Sequence, residues 1–118
     1  MKPDAGSDRV LLEHILECIV RIREYTGGEP ATFYGSKMVQ DAVVRNLQTL
    51  AESTQRLSES LRSTEPGVPW RAIAGFRNVL THGYLDIDRE VVWSVIQQDL
   101  PDLASAVERM MRAGQSSE

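Results

Sequence analysis

The chain has few of the residue types that would assign it to a specialised class of protein. It has one cysteine, Cys18, so an intrachain disulfide and a cysteine-rich zinc site are excluded, and a buried thiol in a reducing compartment is expected. Its two histidines come without a paired carboxylate signature, which disfavours a metal-dependent hydrolase. No apolar run approaches the roughly 20 residues that a membrane span needs, and the polar first eight residues do not resemble a signal peptide. We therefore predict a cytoplasmic protein with no membrane contact, bound metal or cofactor.

The charge of the chain limits how it can bind nucleic acid. With 13 basic and 17 acidic residues, the formal net charge is −4, which argues against a protein that coats nucleic acid by bulk electrostatics. Eleven of the 13 basic residues are arginine, the side chain that grips phosphate with two parallel hydrogen bonds. An RNA-binding site in this chain is therefore expected to be local.

The hydrophobic pattern predicts one helical domain. A length of 118 residues corresponds to a single domain of ordinary size. Apolar positions recur at steps of three and four residues, and no stretch alternates with period two. Short links favour antiparallel neighbours. The sequence predicts an all-α, up-and-down antiparallel bundle of four to five helices over residues 1–118, with loose termini at 1–7 and 114–118.

Caps, glycines and prolines set the predicted helix boundaries. The first break has two glycines and a proline, and Phe33 and Tyr34 are expected to dock the loop that follows it. The first predicted helix is capped by Ser7 or Asp8 and ends near Tyr25, the second spans Ser36 to Arg62, and the third spans Pro69 to His82. A fourth helix is expected to begin after capping residues within Asp86 to Asp88, and a fifth follows Pro101.

The end of the third predicted helix concentrates chemical groups. Arg77, Asn78, His82 and Tyr84 place a cation, an amide, an imidazole and a phenol within eight residues, in an Arg-x4-His-x-Tyr pattern. Arginine binds phosphate, and an imidazole with an unperturbed pKa of about 6.5 transfers protons near neutral pH. Gly83 lets the chain leave helical geometry without steric cost. The pattern indicates a phosphate binder next to a proton carrier.

The same residues also have a structural interpretation. In it, Arg77 pairs with a carboxylate, His82 donates to the last carbonyls of its helix, and Tyr84 packs against the turn. Residues five apart on a straight helix differ by about 140°, so Arg77 and His82 do not share a face, whereas Asn78 and His82 do. His14, inside the first helix, is expected to be a packed or surface residue. Spacing alone leaves both interpretations open.

Several further segments, spread over most of the chain, resemble a known protein family. They are Ala42 to Gln48, which contains Arg45-Asn46, Pro69 to Asn78, His82 to Tyr84, and Asp88 with Trp93. Together these residues resemble the HepT-like family of HEPN-domain toxin ribonucleases. Residues 50–53 are Leu-Ala-Glu-Ser where that family usually has Ile-Gly-Glu-Ala, so Glu52 is kept and the glycine is replaced.

The resemblance implies a metal-independent endoribonuclease toxin of a toxin–antitoxin system. Its active cleft would form where the motif helices of two subunits of a homodimer meet. The resemblance also implies a nucleotidyltransferase antitoxin that silences the enzyme by transferring adenylate to Tyr84, with room for a larger toxin–antitoxin complex. The resemblance implies that Arg77 stabilises the phosphorane and that His82 transfers protons. Asn78 would orient the imidazole or a phosphate oxygen, and Tyr84 would position the substrate. The implied supporting residues of the site are Arg45, Asn46 and Glu52.

A reading from another functional class is a non-catalytic helical module that binds a partner protein or nucleotide. In that case the motif would persist as a structural hydrogen-bond cluster, and Arg45, Asn46 and Glu52 would be solvated helix positions. The feature that separates the two is the intact trio of Arg77, His82 and Tyr84, because a module that only binds does not need a proton carrier beside an arginine.

Overall fold

The structure is a computed structural model that describes the backbone of residues 5–82 and 87–116 and the side chains of residues 7–77 and 87–114. Within these ranges the chain is helical and contains no strand, which confirms the predicted all-α fold. Among the described helices, none is long and apolar enough to cross a membrane. The elements are α1 (Ala5–Thr26), α2 (Pro30–Tyr34), α3 (Lys37–Arg56), α4 (Glu59–Arg62), α5 (Trp70–His82), α6 (Arg89–Ser94), a π-helical turn (Val95–Asp99) and α7 (Leu100–Ser116).

Helices α1 and α3 form the central antiparallel pair. Near the start of α1, the Asp8 carboxylate accepts hydrogen bonds from the backbone N–H of Ser58 at 2.9 Å and from its hydroxyl at 2.6 Å. Two turns further on, His14 Nδ1 lies 2.9 Å from Ser53 Oγ. The start of α1 therefore lies beside the end of α3, and residues further along α1 contact residues earlier in α3. The two helices run in opposite directions.

Helix α5 packs on the side of α3 and runs antiparallel to it. At its start, the Trp70 indole N–H donates to the carbonyls of Arg62 and Glu65, both at 3.1 Å. Further along, Arg77 contacts Glu52, about one turn before the end of α3. Helix α5 is therefore an outer helix, tied at one end to the loop that precedes it.

The core lies between α1, α3 and α7. Each of these helices contributes a stripe at steps of three and four residues, as the sequence predicts. Among the described side chains of α5, Ile73 is buried and Phe76 packs at the edge of the core. Ala51, which replaces the family's usual glycine, is fully buried, so α3 accommodates the methyl group. The buried stripes are Leu12, Ile15, Ile19 and Ile22 in α1, Val43, Leu47 and Leu50 in α3, and Leu100, Leu103, Val107 and Met110 in α7.

The prediction of one continuous helix from Ser36 to Arg62 is wrong in its last six residues, because α3 ends at Arg56 and a separate helix, α4, follows. Leu57 takes extended backbone angles, with φ −60° and ψ 146°, and its side chain is 2% exposed. Ser58 then caps α4 by accepting the N–H of Leu61. The break turns Leu57 into the core and exposes the Ser58 N–H to Asp8, two gains that a continuous helix could not provide.

The loop predicted around Phe33 contains the short helix α2. Its proline stands at the first helical turn, where the missing N–H has no partner to lose. The Gln40 amide donates to the carbonyls of Phe33 and Tyr34 at 3.0 and 3.2 Å and so satisfies the end of α2. Phe33 is fully buried and stacks on Trp93 of α6 with ring centroids 5.5 Å apart.

The predicted break at Pro101 is also wrong, since α6, the π turn and α7 are continuous. The N–H of Leu100 bonds to the carbonyl of Val95, five residues back. A π turn is wider than an α turn, which gives room to a proline ring that would otherwise crowd the carbonyl of Gln97. As predicted, Asp88 caps the start of α6 by accepting the N–H of Val91 at 3.2 Å.

The helix ends differ by a few residues from the predicted ones. Helix α1 begins at Ala5 and α7 continues to Ser116, so helix covers residues 5–7 and 114–116 of the segments predicted to be loose. Helix α5 begins one residue after Pro69, whose carbonyl accepts the N–H of Ile73 at 3.0 Å. It extends to His82, the last residue described before the gap at 83–86. Asp86 lies outside the described residues.

Candidate functional site

Arg77 lies two turns into α5, beside α3. Its Nη1 lies 3.7 Å from Glu52 Oε2 and donates to Gln55 Oε1 at 3.4 Å. The side chains of Arg77 and Glu52 are 48% and 60% exposed, and an exposed pair of this kind contributes about 1 kcal/mol or less. The carboxylate contact is the one that the structural interpretation predicts for Arg77.

A shallow groove of about 290 Å³ opens beside this contact. It is lined by Gln48, Thr49, Glu52 and Arg77. The Thr49 hydroxyl donates to the carbonyl of Arg45 at 2.9 Å, one turn earlier in α3. Gln48 is half-buried, and its amide makes no hydrogen bond within the part of the chain that the structure describes. The groove therefore combines a cation, a carboxylate and two neutral polar groups.

The three supporting residues predicted on the long helix lie at different distances from Arg77. Glu52 contacts it directly. Arg45 is exposed and lies seven residues, or about two turns, before Glu52, so both face nearly the same direction. Asn46 is half-buried, and its amide donates to the carbonyl of Ala42 at 2.9 Å, within its own helix. The structure thus brings Glu52 to the groove, leaves Arg45 further along the same face, and engages the Asn46 amide locally.

The remaining predicted site residues fall partly or wholly outside the described residues. The backbone of Asn78 and His82 lies in α5, with His82 as its last residue. Their side chains, and all of Tyr84, lie outside the described residues. The roles predicted for these residues stay predictions.

The other histidine belongs to the packing of α1 on α3. His14 lies between Ser53, at 2.9 Å, and Cys18, whose Sγ is 3.9 Å from the imidazole Nε2. Cys18 is 1% exposed, and burial raises the pKa of its thiol above the ordinary value, against an opposing effect of nearby Arg21. Both residues have the packed, structural positions that the sequence predicts for them.

A second cleft lies between the segment before α5 and the start of α7, and its electrostatics are unsuited to RNA. Its lining includes Glu65, Asp99, Asp102 and Arg109. Arg109 donates two hydrogen bonds to Glu65, at 2.8 and 3.1 Å, and these bonds lower the pKa of that carboxyl group. Burial, together with nearby Asp102, raises the pKa of Asp99. Three carboxylates against one arginine would repel a phosphate chain, so the groove beside Arg77 is the better candidate.

Metal ligands are not clustered in the described part of the chain. No group of three or more histidine, cysteine, aspartate or glutamate side chains there could hold an ion.

Sequence reasoning missed Gln48 and Thr49, which line the groove, and Gln55, which contacts Arg77. Each lies three or four residues from Glu52, so helical spacing could have placed them on one face. The sequence did not indicate which face of α3 would receive α5, and that choice determines whether these side chains line a groove or face open solvent.

Comparisons with known proteins identify the family of the chain. The model of the family described as "Ribonuclease HepT-like" matches residues 15–110. A "gamma-glutamylcyclotransferase and putative RNase" of Methanocaldococcus jannaschii is 33% identical over 104 residues, which make up 87% of this chain and 47% of that protein. The chain thus spans about half the length of that relative. No solved structure matches the chain significantly.

Two further relatives match over nearly their whole length. A "putative RNase" of the same archaeon is 32% identical over 85% of this chain and 93% of its own length. A "probable ribonuclease HepT" of Thermococcus cleftensis is 31% identical over 90% of this chain and 97% of its own length. The resemblance predicted from the sequence and the assignment to a ribonuclease family are thereby confirmed. The family match, the relatives and the all-helical bundle lead to one conclusion: the chain belongs to the ribonuclease HepT-like family.

Proposed function

We propose that this chain is the toxin of a toxin–antitoxin pair, a metal-independent endoribonuclease that cuts RNA with Arg77 and His82 in a cleft shared by two subunits. The observation that carries the proposal is the placement of Arg77. Its guanidinium lines an open groove on an outer helix, is about half exposed, and makes long contacts to Glu52 and Gln55. An exposed guanidinium on the wall of a groove can form two parallel hydrogen bonds to an RNA phosphate.

The proposed reaction is attack of a ribose 2′-hydroxyl oxygen on the adjacent phosphorus. The new O–P bond closes a 2′,3′-cyclic phosphate, and the bond from phosphorus to the 5′-oxygen breaks. A base takes the 2′-hydroxyl proton and an acid gives one to the departing 5′-oxygen, which are roles for His82 imidazoles. Arg77 stabilises the negative charge that the phosphorane gains. Asn78 orients the imidazole or a phosphate oxygen, and Tyr84 positions the substrate.

A homodimer with α5 near its axis would supply the second imidazole, because the motif contains one histidine per chain. Gly75 supports this arrangement. A Cβ at Gly75 would meet no atom within 4 Å in the chain, yet glycine inside a helix is about 1 kcal/mol less favourable than alanine. Nothing within the described chain requires it, whereas the close approach of a second α5 would.

The partner that silences the enzyme is proposed to be a nucleotidyltransferase antitoxin that transfers adenylate from ATP to Tyr84. The phenol oxygen attacks the α-phosphorus of ATP and loses its proton, the bond from that phosphorus to the bridging oxygen breaks, and pyrophosphate leaves. The added phosphodiester brings a negative charge next to the residues that bind RNA phosphate, and the nucleoside obstructs the groove. A complex of several toxin and antitoxin subunits is compatible with this reaction.

The decisive experiment is cleavage of total RNA and of a defined single-stranded RNA by purified protein with chelator present. We expect cutting that leaves 2′,3′-cyclic phosphate or 3′-phosphate ends, with His82→Ala inactive and Arg77→Ala reduced about a hundredfold or more in kcat. Arg21→Ala is the matched control, because Arg21 is an exposed arginine on α1 that pairs with Glu17.

Three outcomes would overturn the mechanism. Cleavage of a DNA strand would show that the 2′-hydroxyl is not the nucleophile. Complete loss of cutting in chelator would indicate a metal-bound nucleophile. Equal activity of His82→Ala and wild type would remove the proposed proton carrier.

A further inference from the structure

We infer that Arg45, Gln48 and Thr49 form a nucleotide-binding subsite, which holds one nucleotide of single-stranded RNA beside the phosphate bound by Arg77. The inference rests on the proposed ribonuclease function and adds the groove residues that would position and select the substrate. It depends on the face that α3 presents to α5, and none of the three residues belongs to the Arg-x4-His-x-Tyr motif.

The subsite follows the axis of α3. Arg45, Gln48 and Thr49 occupy one helical turn, and Glu52 lies on the next, with Arg77 against it. Seven residues of α-helix rise about 10 Å, so two guanidinium groups flank a stretch of neutral polar side chains. Phosphates and sugars alternate along an RNA strand. The surface could place one cation at each of two successive phosphates and its neutral hydrogen-bonding groups at the sugar and base between them.

Thr49 has the hydrogen-bonding state that suits a ribose. Its hydroxyl hydrogen is used by the carbonyl of Arg45 at 2.9 Å, so the oxygen can only accept further hydrogen bonds. The 2′-hydroxyl is a donor that RNA has and DNA lacks. Thr49 therefore contributes to the preference for RNA at this position.

Gln48 has the properties of a base-reading residue. Its side chain is half-buried in the groove, and among the described residues its amide has no hydrogen-bond partner. An amide offers a donor and an acceptor side by side, which match the edge of an unstacked base. Gln48 is the group in the groove that can distinguish one base from another.

The charges assign the position of the phosphates. Glu52 carries a negative charge at one end of the neutral stretch and is balanced there by Arg77. Arg45 is exposed at the other end with no carboxylate in contact within the described side chains. The charges therefore favour a phosphate at Arg45, while the proposed function places the reacting phosphate at Arg77 in competition with Glu52. The sugar and base between the two phosphates would lie against Thr49 and Gln48.

The kinetic test compares wild type with Arg45→Gln, Gln48→Ala and Thr49→Val on a defined single-stranded RNA. We expect KM to rise at least about fivefold in each variant, with kcat within about twofold of wild type, since these residues do not touch the reacting atoms. Sequencing of the cut ends should show a weaker base preference for Gln48→Ala. Thr49→Ser, which keeps the hydroxyl, should restore the wild-type KM.

The matched control is Gln98→Ala, which removes an exposed amide from the π turn, away from the groove residues. Thermal melting should show that all variants remain folded. A binding arm measures fluorescence anisotropy of the labelled RNA, and of the DNA of the same sequence, with each substitution in an His82→Ala background. Thr49→Val should reduce the difference between the affinity for RNA and the affinity for DNA of the same sequence.

The outcomes separate this inference from the proposed function. If wild type cuts RNA and the three variants behave like Gln98→Ala in KM, base preference and binding, the subsite is wrong while the ribonuclease stands. If wild type binds RNA without cutting it, the proposed reaction is wrong and the binding arm decides the subsite. Absence of both cutting and binding overturns both.

Discussion

The Glu52 carboxylate and the Arg77 guanidinium face each other across the contact between α3 and α5, with Nη1 and Oε2 3.7 Å apart. The two groups come from helices joined by residues 57–69, so the contact records how α5 docks rather than a local helical pair. At this distance and exposure Glu52 guides the arginine without neutralising it fully. The same carboxylate competes with any phosphate that approaches Arg77.

Glu52→Gln should therefore tighten RNA binding. The substitution keeps the size and hydrogen-bonding capacity of the side chain and removes the competing charge. We expect a severalfold lower dissociation constant for single-stranded RNA at low salt, a smaller difference at high salt, and a free energy of unfolding within about 0.5 kcal/mol of wild type. Anisotropy titrations at two salt concentrations measure this effect. Weaker binding at low salt would mean that Glu52 serves RNA directly.

Gly75→Leu should separate the proposed dimer into folded monomers. The chain itself leaves space for the side chain, since a Cβ there meets no atom within 4 Å. We expect sedimentation to shift to the monomer mass, helicity to be retained, and RNA cleavage to be lost. Gly114→Leu is the control, because it adds the same side chain at another helical glycine with open space around it. A Gly75→Leu protein that stays dimeric and active would refute a crossing of α5 helices at this residue.

Tyr84→Phe should escape silencing by the antitoxin. The variant keeps the aromatic ring and removes the oxygen that would accept adenylate. We expect it to retain at least part of its ribonuclease activity after incubation with the nucleotidyltransferase and ATP, whereas wild type is inactivated. Intact-mass spectrometry measures adenylate addition directly. Equal modification of both proteins would place the acceptor elsewhere.

Glu65 should make stability depend on acidity. Hydrogen bonds from Arg109 lower the pKa of Glu65 in the folded chain, so the pair stabilises the fold fully above the unfolded pKa, and this contribution is lost as pH falls through the lower folded value. Wild type should therefore lose more stability than Glu65→Gln below about pH 4.5. Urea unfolding between neutral and acidic pH tests this difference. Glu24→Gln, which removes a glutamate at an exposed position of α1, is the matched control.

The periodic parts of the fold were predictable from the sequence, and the interruptions were less so. The stripe of Ile15, Ile19 and Ile22 gives α1 correctly, because its spacing leaves one buried face. The break at Leu57 could not be inferred, since the apolar spacing continues through it and the break depends on Asp8, fifty residues away. The effect of Pro101 was mispredicted for a related reason: its cost within an α-helix is relieved by a π turn that has no sequence signature of its own.

Some residues of the candidate site were also predictable from the sequence, and others were not. Arg77 and Glu52 were identified from chemistry and resemblance, and the structure brings them into contact. Gln48 and Thr49 are ordinary polar helix residues in the sequence. Their position in a groove depends on the angle at which α5 lies on α3, a tertiary property that local spacing does not encode.

The π turn at Val95–Asp99 sets the rotation of α6 about the helix axis relative to α7. A π turn contains one residue more than an α turn, and removing that residue would rotate everything before it by about 100° relative to α7. Val92 and Trp93 would then leave the core. One inserted residue thus sets which face of α6 is buried, independently of the stripe that holds α7 in place.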